Sequence, residues 1–395
     1  MLPVLHYQSY IKSATIIIEL YKGEEPFANF LKKYFAANKK FGSKDRKHIS
    51  TLCYNFYRMG KALPDIIVSE KIILATFLCG NYEKEFVLLL KDDWINLNNK
   101  SIAEKLQGLQ INPLDIFPFK KEFSKEISQT ALCLSFFTQP KLFLRFRPNY
   151  LRYKMIEKLT AAKVDYAFET LDCLAFANST KVDDILDVGA EVIVQDYNSQ
   201  QTLNYIKENI DEFKFPNSDV WDCCAASGGK SILFYDIVKS KSKITVSDIR
   251  LSILQNLHQR FRNAGIDKYD YFVCDLQKNT SPFPDIKYTT IICDAPCSGS
   301  GTWGRTPEQL YFFDTEKINY YSTLQKQIIT NTMPQLKPGG YFIYITCSVF
   351  AEENEMQVAF IKKEFSLQLM HMELLKGYDK LADNMFVAVF KKANL

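Results

Sequence analysis

Two cysteines stand in loops of unusual composition: Cys297 within Asp294-Ala295-Pro296-Cys297-Ser298-Gly299-Ser300-Gly301-Thr302, and Cys347 within Ile345-Thr346-Cys347-Ser348. Each follows an apolar run, Tyr288 to Cys293 and Gly340 to Ile345, that reads as a buried parallel strand. Loops at the carboxyl ends of parallel strands are where doubly wound folds bind ligands. A free thiol is only roughly a few per cent ionised near neutrality, yet the thiolate is a strong nucleophile. Two such groups delivered to one sheet end point to covalent chemistry on a bound substrate. Singly, each cysteine also suits a small buried strand-end position.

A second constellation lies upstream. Asp222-Cys223-Cys224-Ala225-Ala226-Ser227-Gly228-Gly229-Lys230 places Gly228 and Gly229 between a strand and a helix, where a ligand can approach the backbone. Asp248 ends the next strand, in Val246-Ser247-Asp248, about twenty residues on, where a carboxylate can bond ribose hydroxyls. Asp275 follows Val273-Cys274 at the end of the strand after that, where an adenine amino group would lie, and Asp294 ends the fourth. Any one of these aspartates reads equally well as a cap or turn residue; the series favours a cofactor cradle. No Gly-x-x-x-x-Gly-Lys-Ser/Thr phosphate loop is present, and the lack of Gly-x-Gly-x-x-Gly speaks against a nicotinamide cofactor.

The elements that must position these groups read as a strand–helix alternation from about residue 191. Strands are expected at Val220–Cys223, Lys243–Ser247, Tyr269–Val273, Thr289–Cys293 and Tyr341–Ile345, with helices at Lys230–Val238, Leu251–Ala264 and Tyr320–Met333. That order predicts a Rossmann-like parallel sheet covered by helices over 191–395. Residues 116–190 read as a linker helix followed by a small α+β unit: a strand at Leu142–Phe146, a helix at Tyr153–Ala162 and strand character over Val164–Leu174. Arg145 and Arg147 alternate with apolar residues and share one face. Residues 1–115 read as all-helical. In Lys44–Gly60, Ile49, Leu52, Cys53 and Phe56 form one helical face, with Ser43 as the N-cap. Lys39, Lys40, Lys44, Arg46 and Lys47 gather at its start. This is either a solvated face or a contact for an RNA backbone.

Composition narrows the class. The chain has 395 residues, 47% hydrophobic and 24% charged, which suits two or three ordinary globular domains. A net charge of +4 is compatible with a nucleic-acid partner without requiring one. No run approaches the roughly 18 apolar residues that span a bilayer, and no secretory signal opens the chain. The ten cysteines form neither a disulfide framework nor paired Cys-x-x-Cys knuckles, so a reducing cytoplasm and no metal are expected. Cys53, Cys79, Cys133, Cys173, Cys223, Cys274 and Cys293 read as packing residues.

Thiol pairs beside a cofactor have a specific use with pyrimidines. Carbon 5 of cytosine or uracil is too inert to accept a methyl group directly, but a thiolate added at carbon 6 makes it enamine-like. After methylation the carbon 5 proton leaves and the thiol is eliminated. One cysteine suffices for attack; a second can assist proton handling or release.

With these motifs the chain resembles the RsmB/NSUN family of RNA cytosine-5 methyltransferases, most of all its bacterial ribosomal-RNA branch. Asp222 to Lys230 matches Asp-x-Cys-Ala-Ala-Pro-Gly-Gly-Lys with Ser227 in place of proline. Asp294 to Gly301 matches Asp-Ala-Pro-Cys-Ser-Gly-x-Gly, and Thr346-Cys347-Ser348 with Glu352-Glu353-Asn354 matches a third family motif. Val194-Gln195-Asp196 with Ser199, Leu142 to Asn149, and more loosely Gly42 to Arg58 add to the likeness. Asp383-Asn384-Met385-Phe386 departs from the usual Asp-Gly-Phe-Phe.

The resemblance implies a Rossmann-like S-adenosylmethionine-dependent methyltransferase domain, a small α+β RNA-binding subdomain and a NusB-like helical domain. It implies Cys347 as nucleophile, Cys297 as the group that frees the product, and Asp294 beside the target base. Cys224, Ala225, Ala226, Ser227, Gly228, Gly229, Lys230, Asp248, Asp275 and Asp294 would hold S-adenosylmethionine. The expected substrate is a cytosine of ribosomal RNA, of the small subunit (16S), bound by a monomer. Alternatives are transfer RNA as substrate, a ribosome-assembly RNA binder without catalysis, and a DNA cytosine-5 methyltransferase, which uses the Pro-Cys cysteine instead.

Overall fold

The computed structural model describes residues 2–394 apart from 81, 83–85, 87–88, 214–217, 239–241 and 279–285. These fall into two compact units: Met1–Phe123 with Ile127–Gln139 and Thr302–Thr315, and Ser124–Glu126 with Pro140–Gly301 and Glu316–Leu395. No described helix is long and apolar enough to cross a membrane.

The first unit is helical, as its patterning predicts. Helices Leu2–Leu20, Phe27–Ala37 and Ser43–Arg58 bury Ile11, Ala14 and Ile18, then Phe27, Leu31 and Phe35, then Ile49, Leu52, Cys53 and Phe56 in one core. The third helix starts at the expected cap, so the observed cap lies one residue earlier. Ser43 is its first helical residue, Gly42 is the N-cap, and the Asp45 carboxylate accepts from the Gly42 N–H at 2.8 Å. A carboxylate in the first turn thus takes over the capping role assigned to Ser43. The basic side chains around this start, Lys39, Lys40, Lys44, Arg46 and Lys47, are exposed. Thr302–Thr315 belongs to this unit rather than to the sheet unit that its sequence neighbours build. Its helix Pro307–Phe312 presses Leu310 against Gly60, a residue at φ +49° where a Cβ would lie 2.3 Å from the Ile116 carbonyl oxygen.

The second unit holds two sheets. Strands β1 (Leu142–Phe146), β2 (Ala167–Thr170), β3 (Cys173–Phe176) and β4 (Val192–Val194) form an antiparallel sheet in the order β2-β3-β1-β4. The strand character expected over Val164–Leu174 resolves into a hairpin, β2 to β3. Arg145 and Arg147 do share a face, but they turn inward: their guanidinium groups each meet Asp236 at 2.7 Å. Such a buried pair needs both partners, because removing one strands the other's charge.

The larger sheet comprises β5 (Asp219–Asp222), β6 (Lys243–Asp248), β7 (Tyr269–Val273), β8 (Tyr288–Asp294), β9 (Leu336–Thr346), β10 (Gln368–Leu375) and β11 (Met385–Lys391), in the order β10-β11-β9-β8-β5-β6-β7. Five neighbouring strands, β7-β6-β5-β8-β9, are parallel, and β11 and β10 close one side antiparallel. Helices Gly229–Ile237, Leu251–Asn263, Glu316–Thr332 and Glu355–Phe365 make the crossovers. The chain runs outward from β5 through β6 to β7, then returns to place β8 on the other side of β5. The carboxyl ends of β5 and β8 therefore meet at the topological switch point, the crevice where open α/β sheets bind ligands.

Candidate active site

The switch point gathers most of the residues singled out by sequence. Asp222 and Asp294 end β5 and β8, and Thr346 ends β9, so Cys297 and Cys347 emerge on adjacent loops. Their sulfurs lie 3.3 Å apart, hydrogen-bonded rather than disulfide-linked. The pair is not symmetrical. Its hydrogen bond to Cys347, followed by burial, pushes the Cys297 thiol well above its ordinary range. Either sulfur can donate across this contact, and the raised pKa favours the protonated form of Cys297.

Lys230, from the first turn of helix Gly229–Ile237, reaches Asp294 at 2.5 Å. Burial disfavours the ammonium, but the Asp294 carboxylate, helped by Cys347 and Asp222, more than offsets this and raises its pKa. A cation is thereby held among the thiol, the carboxylate and the glycine turn. Beneath them Asp222 is 1% exposed; its Oδ2 accepts from Ser231 Oγ at 2.5 Å and its Oδ1 has no hydrogen-bond partner. Burial pushes this carboxyl up to about 7, against the pull of Ser231.

The turn itself is set by backbone conformation. Ala226 and Gly228 take φ +46° and +80°, and a Cβ on Gly228 would lie 2.7 Å from the Phe261 ring. Above Gly229 the nearest atom to such a Cβ is 4.0 Å away, so that side is open. Ala225 N–H donates to the Ser247 carbonyl at 2.9 Å, and Ala226 N–H to Asp248 Oδ2 at 3.1 Å, which joins Asp248 to the turn. Cys224 is half-buried on the same turn. Ser227, standing where proline is usual, gains a bond proline could not make. Arg260 donates to its Oγ at 2.7 Å and to its carbonyl at 3.0 Å. Asp275 lies at the end of β7 and accepts from Gln277 N–H at 3.1 Å and Lys278 at 3.3 Å, closing its own turn.

Sequence reading missed what holds the two thiols together. Glu353 is fully buried; its Oε2 accepts from the Ser298 N–H at 2.7 Å and its Oε1 from Ser348 Oγ at 2.9 Å. One carboxylate therefore binds the residue after each cysteine. Gln325 donates to Glu353 Oε2 at 3.3 Å and to the Pro296 carbonyl at 2.9 Å. Asn354 accepts from Thr346 Oγ1 at 2.6 Å and donates to the Ser348 carbonyl at 2.9 Å, bracketing Cys347. The hydroxyls of Ser298, Ser300 and Ser348 lie 3.0–3.3 Å from one another. Gly301 N–H donates to the Cys347 carbonyl at 2.9 Å, and a Cβ there would sit 2.2 Å from the Asn384 carbonyl oxygen. Glu352-Glu353-Asn354 was visible as a motif, but only tertiary contacts reveal this use.

Residues 212–384 match the family described as 16S rRNA methyltransferase RsmB/F. The chain is 32% identical over 174 residues to ribosomal RNA small subunit methyltransferase B of Enterobacter sp. (strain 638), covering 44% of this chain and 39% of that protein. It is 30% identical over 170 residues to mouse tRNA (cytosine(72)-C(5))-methyltransferase NSUN6, covering 40% of this chain and 35% of that one. The aligned segments thus span well under half of these relatives' lengths. In fold, the crystal structure of PH0851 overlaps 97% of this chain and 98% of its own at TM-score 0.69 and 18% identity. NSun6 from Pyrococcus horikoshii with SFG overlaps 70% of this chain and 97% of its own at TM-score 0.60 and 15% identity. The mostly parallel sheet, the motifs at its switch point and these sequence matches agree: residues 212–384 carry a domain similar to the RsmB/F methyltransferases and to NSUN6.

Proposed function

We propose that the chain methylates carbon 5 of a cytosine in small-subunit ribosomal RNA, using S-adenosylmethionine and a covalent adduct through Cys347. The observation that carries this reading is the unequal thiol pair, 3.3 Å apart beside Lys230 and Asp294. Cys347 attacks carbon 6 of the base. Lys230 supplies positive charge where the thiolate forms, and the Asp294 carboxylate bonds nitrogen 3 or the amino group of the base. Cys297 serves the later step: solvent water takes the carbon 5 proton, the electron pair left behind re-forms the carbon 5–carbon 6 double bond and expels the Cys347 thiolate, and the Cys297 thiol donates to that departing sulfur, freeing the methylated RNA.

The donor set fits S-adenosylmethionine. The open face at Gly229, the orphan Asp222 oxygen and the carboxylates of Asp248 and Asp275 at successive strand ends suit a nucleoside carrying a charged amino-acid tail. Cys224, Ala225, Ala226, Ser227, Gly228, Gly229, Lys230, Asp248, Asp275 and Asp294 would line its site. When bound it supplies the methyl group as an electrophile. In this scheme residues 1–115 and 116–190 hold RNA while the target base is unstacked into the pocket, and 191–395 carry the chemistry.

Transfer RNA is the second reading, favoured by the 30% identity to mouse NSUN6. Bisulfite sequencing of total RNA from cells with and without the gene separates them. We expect one cytosine of small-subunit ribosomal RNA to lose protection. A site confined to transfer RNA would support the second reading, and no altered site in any RNA would overturn both.

A further inference from the structure

A second set of thiols gathers Cys223 and Cys293, which have no part in the chemistry above, with Cys224, which lines the proposed cofactor site. β5 and β8 run parallel with Asp222 opposite Ile292, so the next residues, Cys223 and Cys293, leave neighbouring strands about 4.8 Å apart. Cys223 N–H donates to the Ile292 carbonyl at 2.9 Å, which holds that register to the strand ends. The following residue brings a third sulfur back, and all three Sγ atoms lie within 4.8 Å of one another. All three are free thiols.

We propose that Cys223, Cys224 and Cys293 form a binding site for one thiophilic d10 cation, Zn(II) or Cu(I), beneath the glycine turn. Metal–sulfur bonds of about 2.3 Å place three ligand sulfurs roughly 3.8–4.0 Å apart, a contraction within reach of side-chain rotation. Thiolate sulfur selects Zn(II) and Cu(I) over the hard cations that prefer oxygen. Two carboxylates adjoin the ligands in sequence, Asp222 before Cys223 and Asp294 after Cys293. Cys223 and Cys293 are sealed in the sheet while Cys224 is half-buried, so an ion enters past Cys224. Binding exchanges thiol protons for metal–sulfur bonds, with no change of oxidation state. Cys297 and Cys347 offer only two sulfurs. The expectation of no metal rested on the lack of Cys-x-x-Cys knuckles, whereas here the spacing comes from neighbouring strands.

The test uses the full chain, reduced and desalted without oxygen, titrated with Zn(II) alone and with Cu(I) alone against competing chelators. One ion per chain is expected from at least one titration; which ion binds identifies the source, and binding of both means that the site does not select between them. Cys223→Ser and Cys293→Ser should each weaken binding by more than the roughly 10–100-fold that outer-shell changes cost, while a Cys297→Ser/Cys347→Ser chain keeps its ion. In the wild-type chain, metal should protect Cys223, Cys224 and Cys293 from alkylation in peptide mapping and leave Cys297 and Cys347 reactive. This readout stands even where a variant fails to fold. No stoichiometric ion, or protection confined to Cys297 and Cys347, overturns the site. Neither result bears on methyl transfer, which is tested separately.

Discussion

The thiol side and the glycine side of the pocket are built in opposite ways. Cys297 and Cys347 ride on loops held by buried side chains from distant parts of the chain: Glu353, Gln325, Asn354 and three serines. The turn from Cys223 to Lys230 is held by its own backbone, with positive φ at Ala226 and Gly228, and by the Arg260 clamp. The difference matches the demands on each. On the proposed mechanism, two thiols that act in sequence must keep one mutual geometry to within about half an ångström. A turn that admits a cofactor needs exposed backbone and room above Gly229.

The largest expected effect breaks the thiol side outright. Cys347→Ala should cost roughly 10⁴-fold or more in turnover, as loss of a nucleophile does, with S-adenosylmethionine binding unchanged by calorimetry. Next, Glu353→Ala leaves the Ser298 N–H, the Ser348 hydroxyl and one Gln325 amide bond without their acceptor. We expect about 3 kcal/mol lower stability in urea unfolding and a fall in kcat of roughly 10²-fold from thiol misplacement, with the KM for RNA little altered.

Glu353→Gln sharpens the same point through pH. Burial raises the Glu353 pKa against the pull of its Ser298, Ser348 and Gln325 donors. The unfolded chain therefore loses this proton first as pH rises. The contribution of Glu353 is fully present below the unfolded value near 4.5 and is lost as pH climbs through the raised folded value. The glutamine variant should flatten that slope in urea midpoints measured across this range while keeping most of the turnover.

The smallest effect is expected on the glycine side. Ser227→Ala removes one hydroxyl acceptor but leaves Arg260 its bond to the carbonyl. It should weaken S-adenosylmethionine binding by about 1 kcal/mol, several-fold in Kd, with kcat at saturation unchanged. A larger loss of turnover in Ser227→Ala than in Glu353→Ala would reverse the comparison.

Legibility follows the same divide. The strand ends and the turn could be read because they depend on local signals: apolar runs, a Gly-Gly pair and acidic residues at each carboxyl end. The five expected strands of the larger sheet all appear: β7 with the expected bounds, β5, β6 and β8 with ends shifted by one residue, and β9 beginning at Leu336 rather than Tyr341. The helix expected from Tyr320 begins at Glu316, because its first turn carries little apolar periodicity. Contacts between residues far apart in sequence were hidden. Glu353 reaching Ser298, Arg260 reaching Ser227 and the convergence of Cys223, Cys224 and Cys293 exist only once strand order is known. The assignment of Thr302–Thr315 to the helical unit was hidden for the same reason, since its sequence directly continues the Cys297 loop.

The central claim is the inequality of Cys297 and Cys347, and covalent trapping tests it most directly. Each cysteine is replaced by alanine, and each variant is incubated with unmethylated small-subunit ribosomal RNA and S-adenosylmethionine. Protein–RNA species that survive denaturing electrophoresis are then counted. Cys297→Ala should accumulate a stable adduct because release fails, and Cys347→Ala should form none. An adduct in Cys347→Ala, or retained turnover there with loss in Cys297→Ala, would contradict the account.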